Sequence, residues 1–185
     1  MTMKFADIKP LYSAQNMYGV DQPVKYILDT LKRYKEEYGL EMVPDFQRGH
    51  VWTKEQQEKY IEFLLRGGKA GTDFYFNHPG WMGDFNGQMV CVDGLQRITA
   101  LQQFFNNEIC AFNTYYQDFK DNFPLLLVVR FYINNLKNKE DVLNWYVELN
   151  ETGTPHSQEE LQKVKDMIEE IQNKDNEENH ISPSM

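Results

Sequence analysis

Asp93, Gln96 and Arg97 are side chains that could bind and activate a phosphate group, and they lie within five consecutive residues. They follow strand-like residues 88–92, so the sequence predicts a strand, a tight Asp-Gly turn and then a helix. The start of a helix presents backbone N–H groups, and an arginine beside them completes an anion site. We therefore predict a phosphate site, in which Gly94 contributes its backbone and Arg97 neutralises charge. Asp93 could cap the helix or hold a divalent cation, and Gln96 can hydrogen-bond a ligand or a water.

Each of these residues also has an ordinary structural interpretation. Asp93 could act only as the cap of the helix, and Arg97 could act only as one partner of a surface ion pair. Thr99 offers a hydroxyl to a nucleotide, but threonine is also unremarkable within a helix. This segment alone therefore leaves a nucleotide site and a plain strand–helix connection both open.

Two further segments could contribute to the same site. Residues 44–48, Pro-Asp-Phe-Gln-Arg, would form a loop that projects the amide of Gln47 and the guanidinium of Arg48. Residues 148–155, Glu-Leu-Asn-Glu-Thr-Gly-Thr-Pro, would place Asn150 at the end of a helix, where it could face the site. Both segments also fit connections without a function, namely a loop before a capped helix and a helix end with an Asn/Gly turn.

Hydrophobic periodicity predicts an α+β fold with short strands between helices. Apolar residues at helical spacing predict helices at 22–38, at 53–66, from 94 to 105, at 140–149 and from 157 onward. Capping boxes at Thr53-x-x-Gln56 and Ser157-x-x-Glu160 support two of these starts. Strands are predicted near 5–8 and at 73–77, 88–92, 108–112 and 125–133. The first half of the last strand is continuously apolar, which indicates burial on both faces.

The net charge of −9 is concentrated near the C-terminus. From Gln158 onward the chain has eight acidic and three basic residues, a net charge of −5. Double-stranded DNA is usually bound by a basic surface, so this charge argues against direct DNA binding. We interpret the acidic end as a solvated helix face, with mimicry of a nucleic acid as the alternative.

Length and composition predict one domain at 1–172, followed by an acidic, disordered tail at 173–185. Cys91 and Cys110 lie in apolar stretches without a Cys-x-x-Cys motif, so we predict reduced, mostly buried thiols. Reduced cysteines indicate the cytoplasm. The chain has no apolar run of about 18 residues and no signal peptide at its start, so we expect no contact with a membrane.

The three polar segments together resemble one family. Pro-Asp-Phe-Gln-Arg before Trp52, then Asp-Gly-Leu-Gln-Arg, then Leu-Asn-Glu-Thr-Gly-Thr-Pro-His-Ser follow its motifs in order and at similar spacing. The family is the ParB/sulfiredoxin-like domain that forms the N-terminal module of GmrSD-type modification-dependent restriction enzymes and also occurs in SspE-type phage-defence proteins. The resemblance covers about residues 40–165, and three ordered motifs are far more specific than one.

The resemblance implies a ParB/sulfiredoxin-like fold, in which helices flank a short mixed sheet. It also implies a nucleoside-triphosphate site with Mg²⁺, and hydrolysis linked to control of a DNA-cutting module. The positions that match the family's motifs are Gln47, Arg48, Asp93, Gly94, Gln96, Arg97, Asn150 and Gly153.

The chain departs from the family pattern in four respects. Leu95 stands where glutamine is common, and His156 stands where leucine is common. Residues 67–72, Gly-Gly-Lys-Ala-Gly-Thr, replace a Pro-Ile-Pro-like stretch. The HNH nuclease motif that usually follows is not recognised, and the four histidines lack metal-ligand spacing. We therefore expect a stand-alone domain of a restriction or phage-defence system.

Four functions compete on this evidence. The first is a nucleoside-triphosphate-binding domain with slow hydrolysis, in which Asp93 would organise Mg²⁺ or the attacking water and Gln96 would orient that water. The second is a catalytically silent interaction module, or a phage-encoded inhibitor, that binds a separate nuclease or a host defence complex. A ParB-like nuclease is opposed by the acidic charge and the missing HNH motif. A sulfiredoxin-like redox enzyme needs a reactive cysteine, whereas Cys91 lies between Val90 and Val92 and is typical of a core.

Overall fold

A computed structural model of the protein describes residues 3–15, 17–47, 49, 51–151 and 158–181, with backbone alone at 158–160 and 175–181. The α-helices are α1 (Ile27–Tyr38), α2 (Lys54–Leu65), α3 (Leu95–Phe105), α4 (Lys139–Glu151) and α5 (Gln158–Ile181). The strands are β1 (Tyr18–Pro23), β2 (Asp73–Asn77), β3 (Val90–Asp93), β4 (Cys110–Ala111), β5 (Thr114–Tyr115) and β6 (Val128–Asn134).

The main sheet is mixed and has the strand order β1-β6-β2-β3. β1 pairs with β6 antiparallel, β2 pairs with β6 parallel, and β2 pairs with β3 antiparallel. β4 and β5 form a separate two-stranded hairpin. The predicted α+β class, with a short mixed sheet and flanking helices, is confirmed. β3 is an edge strand of the sheet, and α3 follows it directly in the chain.

The two faces of the sheet bury separate apolar clusters. Phe74 and Phe76 point from β2 into a cluster with α1, α2 and α3, and both are completely buried. Tyr75, between them, contacts the opposite cluster, which contains Val92 and residues of α4 and α5. This alternation follows from the two-residue period of a strand. The helices therefore cover both faces, and β3 contacts both clusters.

The helix starts follow local rules that the sequence displays. Thr53 caps α2 by accepting a hydrogen bond from the backbone of Gln56, whose side chain accepts one from the N–H of Thr53. Gly39 ends α1 with φ of 62°, which glycine adopts without strain. Ile27, Leu31 and Tyr34 form the buried face of α1, as their spacing predicts.

The strand predictions missed β1, whose last two residues lie within the helix predicted at 22–38, and two of the predicted strands were wrong in position. Residues 5–7 form a short 3-10 helix rather than a strand, and Phe5 is 95% exposed. Leu125 and Leu126 were predicted to start a buried strand, yet they are exposed because β6 begins only at Val128. The N–H of Leu127 bonds the carbonyl of Pro124, so the apolar run starts inside a proline-initiated turn.

The C-terminal helix is longer than its apolar stripe. α5 continues to Ile181, past residue 172, where we placed the end of the domain and the start of a disordered tail. The domain boundary itself remains a prediction. Residues 150–151 of the turn predicted at 150–155 belong to α4, and the rest of that turn and the capping box at Ser157 lie outside the described residues. No helix in the described part of the chain is long and apolar enough to cross a membrane.

Candidate functional site

A single glycine joins β3 to α3. Gly94 is the N-cap of α3, with φ of 116° and ψ of 0°, a left-handed conformation that favours glycine. A Cβ at this position would also lie 2.7 Å from Cδ1 of Phe74. Because the cap is Gly94, Asp93 is not the cap of α3. The carboxylate of Asp93 is available for another partner at the start of the helix.

That partner is Arg97, one turn into α3. Its Nη2 forms an ion pair with Oδ2 of Asp93, and its Nη1 donates a hydrogen bond of 2.9 Å to the carbonyl of Asp73. The guanidinium carbon lies 5.2 Å from the centroid of the Phe74 ring. The side chains of Arg97 and Asp93 are 15% and 30% exposed. The pair is partly buried, but both charged groups still reach solvent beside the first turn of α3.

Gln96, in the first turn of α3, bonds the backbone of Gly49, Val51 and Trp52. Its Oε1 accepts hydrogen bonds from the N–H groups of Val51 at 2.9 Å and Trp52 at 3.1 Å. Its Nε2 donates to the carbonyl of Gly49 at 3.2 Å. Both ends of the amide are therefore engaged by backbone groups, and Gln96 acts in this structure as a positioning residue. Its predicted contact with a catalytic water remains a prediction.

Gln47 makes the corresponding contact from the first motif. Its Nε2 donates to the carbonyls of Cys91 at 2.9 Å and Val92 at 2.5 Å, both in the edge strand β3. The first two motifs are thus in direct contact, as a shared site requires. Arg48, predicted to bind a nucleotide, lies outside the described residues.

The third motif adjoins the first through aromatic packing. The ring of Phe46 meets that of Tyr146, on α4, edge-on at 5.4 Å between centroids. Asn150 lies one turn further along α4, is buried, and donates a hydrogen bond of 2.6 Å to the carbonyl of Tyr146. Among the described residues, no hydrogen bond or ion pair joins Asn150 to Asp93 or Arg97. The structure therefore brings the motifs together without placing Asn150 against the ion pair.

Thr99 lies on α3 one turn beyond Leu95. Its hydroxyl donates a hydrogen bond of 2.9 Å to the carbonyl of Leu95, a common arrangement for threonine inside a helix. The predicted contact of Thr99 with a nucleotide is therefore not needed to explain its conformation.

The cysteines do not support the redox alternative at this turn. Cys91 is completely buried and free, and burial raises the pKa of its thiol well above the ordinary range. A thiol of this kind is inert, since the thiolate is the reactive species. Cys110 is also free, and the carboxylate of Glu58, which accepts a hydrogen bond from Sγ, raises its pKa. Cys91 is buried as predicted, whereas Cys110 is only partly buried, and the reduced state of both thiols stays a prediction.

Sequence reasoning missed four contributors to the environment of Arg97. Tyr60 donates a hydrogen bond of 3.0 Å from its hydroxyl to the carbonyl of Gly71, and a Cβ built at Gly71 would lie 3.5 Å from Cδ of Arg97. Asp73 contributes its carbonyl and Phe74 its ring. The sequence shows Tyr60 and Phe74 only as apolar positions, and a backbone carbonyl has no sequence signal. The glycines at 67–72 were the one available sign that this segment approaches another element closely.

A cleft of about 400 Å³ lies near the other end of β3. It is lined by Phe46, Val90 and Lys139, among others, and Lys139 is paired with Asp45 at its edge. The register of β2 with β3 places Val90 opposite Asn77 and Asp93 opposite Tyr75, so the cleft and the ion pair lie toward opposite ends of β3. The first motif contributes Phe46 to the cleft and, through Gln47, bonds the carbonyls of Cys91 and Val92 just before Asp93.

The protein is an α+β domain in which the turn from β3 through Gly94 to α3 holds the ion pair of Asp93 and Arg97. Gln96, in the same turn, bonds the backbone of the neighbouring first motif. Over residues 27–181 the chain matches the family described as GmrSD restriction endonuclease, N-terminal domain. The chain belongs to this family, which confirms the resemblance and points to a restriction or phage-defence system. No curated protein and no solved structure matches the chain.

Proposed function

We propose that this domain binds a nucleoside triphosphate with Mg²⁺ at the turn between β3 and α3 and hydrolyses it slowly. The observation that supports the proposal is the partly buried pair of Asp93 and Arg97 at the first turn of α3. A cation for phosphate and a carboxylate for a metal are thereby placed at a helix N-terminus, where unpaired N–H groups favour anions. In the family's setting, hydrolysis would control a nuclease.

Binding would require an exchange of partners at Arg97. Its guanidinium is engaged by Asp93 and by the carbonyl of Asp73, and phosphate oxygens compete for the same N–H donors. Once Arg97 turns to the phosphates, the carboxylate of Asp93 is left for a cation. In this exchange the phosphates replace the carboxylate of Asp93 as the partner of Arg97.

The residues at the turn fit Mg²⁺ only in company with phosphate. No group of three or more His, Cys, Asp or Glu side chains in the described part of the chain could hold a metal ion. Mg²⁺ is commonly bound by one or two carboxylates together with substrate phosphates and waters, and Asp93 provides such a carboxylate. When bound, Mg²⁺ would neutralise charge on the phosphate oxygens. We therefore expect no metal binding without nucleotide.

Hydrolysis would place a water in line with the γ-phosphorus. The water oxygen bonds to that phosphorus, and the bond from it to the β–γ bridging oxygen breaks, which yields a nucleoside diphosphate, inorganic phosphate and a proton. Arg97 would stabilise charge on the transferred group, and Asp93 would position the water or the metal. Gln96 would hold Gly49, Val51 and Trp52 beside the turn, and Gln47 would hold β3 through the carbonyls of Cys91 and Val92.

A second candidate function rests on the same contacts. The polar atoms of Arg97 and Gln96 already have partners within the protein, so both side chains could serve only to stabilise the fold, as in a catalytically silent interaction module. Such a module would bind a separate nuclease or a defence complex through its surface. Exposed apolar side chains near the N-terminus, including Phe5 at 95% and Leu11 at 59%, are available for a partner.

Two measurements separate the candidates. Isothermal titration of the protein with ATP, GTP, CTP and UTP, with and without Mg²⁺, should show binding of at least one nucleotide that Mg²⁺ strengthens. Release of inorganic phosphate from that nucleotide should then exceed the rate without protein. Binding without phosphate release would leave a nucleotide-responsive module, and no binding of any of the four would favour the interaction module.

A further inference from the structure

A glycine-containing loop ends beside Arg97 of the proposed site. This loop, residues 66–72, follows α2, and Gly67 and Gly71 have φ of 83° and 68°. The hydroxyl of Thr72 donates a hydrogen bond of 2.8 Å to the carbonyl of Lys69, which closes the turn. The N–H of Arg130 donates to the carbonyl of Thr72 at 2.8 Å, which fixes the loop on β6.

The end of the loop forms a wall beside Arg97. A Cβ built at Gly71 would lie 3.5 Å from Cδ and 3.7 Å from Nη1 of Arg97. Tyr60 holds the carbonyl of Gly71 through its hydroxyl, and its ring meets Trp52 edge-on at 5.5 Å between centroids. Tyr60 therefore contacts both the 66–72 loop and Trp52, whose N–H is bonded by Gln96, and the loop ends beside Arg97.

Lys69 is the one cationic side chain between the two glycines of this loop's tip, and it is exposed. Within the described part of the chain, no hydrogen bond or ion pair engages its ammonium, whereas Lys54 and Lys59 on α2 are paired with glutamates. The flexible four-carbon stem of lysine lets an ammonium reach a phosphate without a fixed geometry.

We propose that Lys69 is a second phosphate-binding cation of this site and contacts the β- and γ-phosphates of a nucleoside triphosphate. The inference rests on the proposed function. Even after Arg97 turns from Asp93 to the phosphates, the turn between β3 and α3 offers one arginine, whereas a triphosphate has several negative charges. An exposed lysine on a loop that ends beside Arg97 supplies a further positive charge. A monophosphate has no β- or γ-phosphate for Lys69 to contact.

The test compares three variants by titration with the triphosphate and the monophosphate of one nucleoside in Mg²⁺. Lys69→Gln should weaken binding of the triphosphate about tenfold and leave the monophosphate unchanged. Lys69→Arg should keep the triphosphate affinity within about threefold. Lys35→Gln, which removes an exposed lysine of α1, should match the wild type. Thermal melting of all three should show unchanged folding, since each side chain is exposed.

The failure of each idea has its own signature. If Lys69→Gln binds the triphosphate like the wild type while Arg97→Ala loses it, the nucleotide site stands and the role of Lys69 is wrong. An equal loss for the triphosphate and the monophosphate also contradicts a contact with the outer phosphates. If the wild type binds no nucleotide at all, the proposed function and this inference are both overturned.

Discussion

The side-chain amide of Gln47 donates a hydrogen bond of 2.9 Å to the carbonyl oxygen of Cys91, so the first motif holds the strand of the second. The side-chain amide of Gln96 in turn bonds the backbone of Gly49, Val51 and Trp52, which follow the first motif. Each motif's glutamine therefore anchors the backbone of the other motif. These contacts give a structural reason for the presence of both Gln47 and Gln96, independent of the function of the site.

Removal of one anchor should loosen the other motif. Gln96→Ala leaves the N–H groups of Val51 and Trp52 without their side-chain acceptor, so we expect the free energy of unfolding to fall by about 1–3 kcal/mol. Urea denaturation measures this change. Gln102→Ala, on the same helix, should change it by less than about 0.5 kcal/mol. Equal stabilities of the two variants would show that the contact of Gln96 is not retained in solution.

A side chain at position 94 should be strongly destabilising. Gly94 has φ of 116°, and a Cβ there would lie 2.7 Å from the ring of Phe74. Strain and clash together should cost Gly94→Ala about 2–4 kcal/mol of unfolding free energy, measured by urea or thermal denaturation. In Gly49→Ala the added Cβ meets no described atom within 4 Å, so this control should stay near the wild type. A stable Gly94→Ala protein would contradict the geometry of the turn.

Acid should destabilise the fold through His78. This residue is completely buried, its Nδ1 accepts a hydrogen bond of 3.1 Å from the N–H of Gly80, and burial lowers its pKa. Because the unfolded chain binds the proton more readily, the stabilisation is complete above the unfolded pKa of about 6.5 and is lost as the pH falls below it.

The measurement is the free energy of unfolding across the range from about pH 5 to pH 8. His78→Phe keeps an aromatic ring beside Tyr38 and Trp81 but cannot take up a proton. Its stability should therefore fall less steeply on acidification than that of the wild type, even if the variant is weaker at neutral pH. Parallel curves for the two proteins would exclude His78 as the titrating group.

The apolar stripe of α5 should matter more than its end. Val164 and Ile168 are 1% and 8% exposed and pack in the cluster on the α4 face of the sheet. Ile168→Ala should cost about 2–4 kcal/mol of unfolding free energy. Deletion of residues 175–185 should leave the melting temperature within about two degrees, which corresponds to under about 0.5 kcal/mol. A larger drop on deletion would show that the end of the helix packs against the body.

Local sequence signals predicted the elements at the site well. The segment around Asp93 and Gly94 forms the strand, turn and helix that its residue types predict, because glycine and apolar periodicity act locally. Thr53 and Gln56 form the predicted capping box for the same reason. The contact between the first two motifs could be inferred only from the family resemblance.

The sequence could not show how the site's polar atoms are used. Gln96 looks like a ligand-binding amide in the sequence, but its partners are backbone groups 44–47 positions away. The apolar run at 125–127 misled the strand prediction because hydrophobicity does not distinguish a turn from a strand when Pro124 starts it. Long-range backbone contacts of this kind leave no mark in local composition.

The most direct test of the account is the affinity of the protein for nucleoside triphosphates with Mg²⁺ when Arg97 is removed. Arg97→Ala should lower the affinity about 10- to 100-fold, because a charge-assisted contact to phosphate is lost. Arg130→Ala removes the other arginine of an Arg–Asp pair, with Asp21, and should bind like the wild type. Binding that survives in Arg97→Ala as in Arg130→Ala would contradict a nucleotide site at the β3–α3 turn.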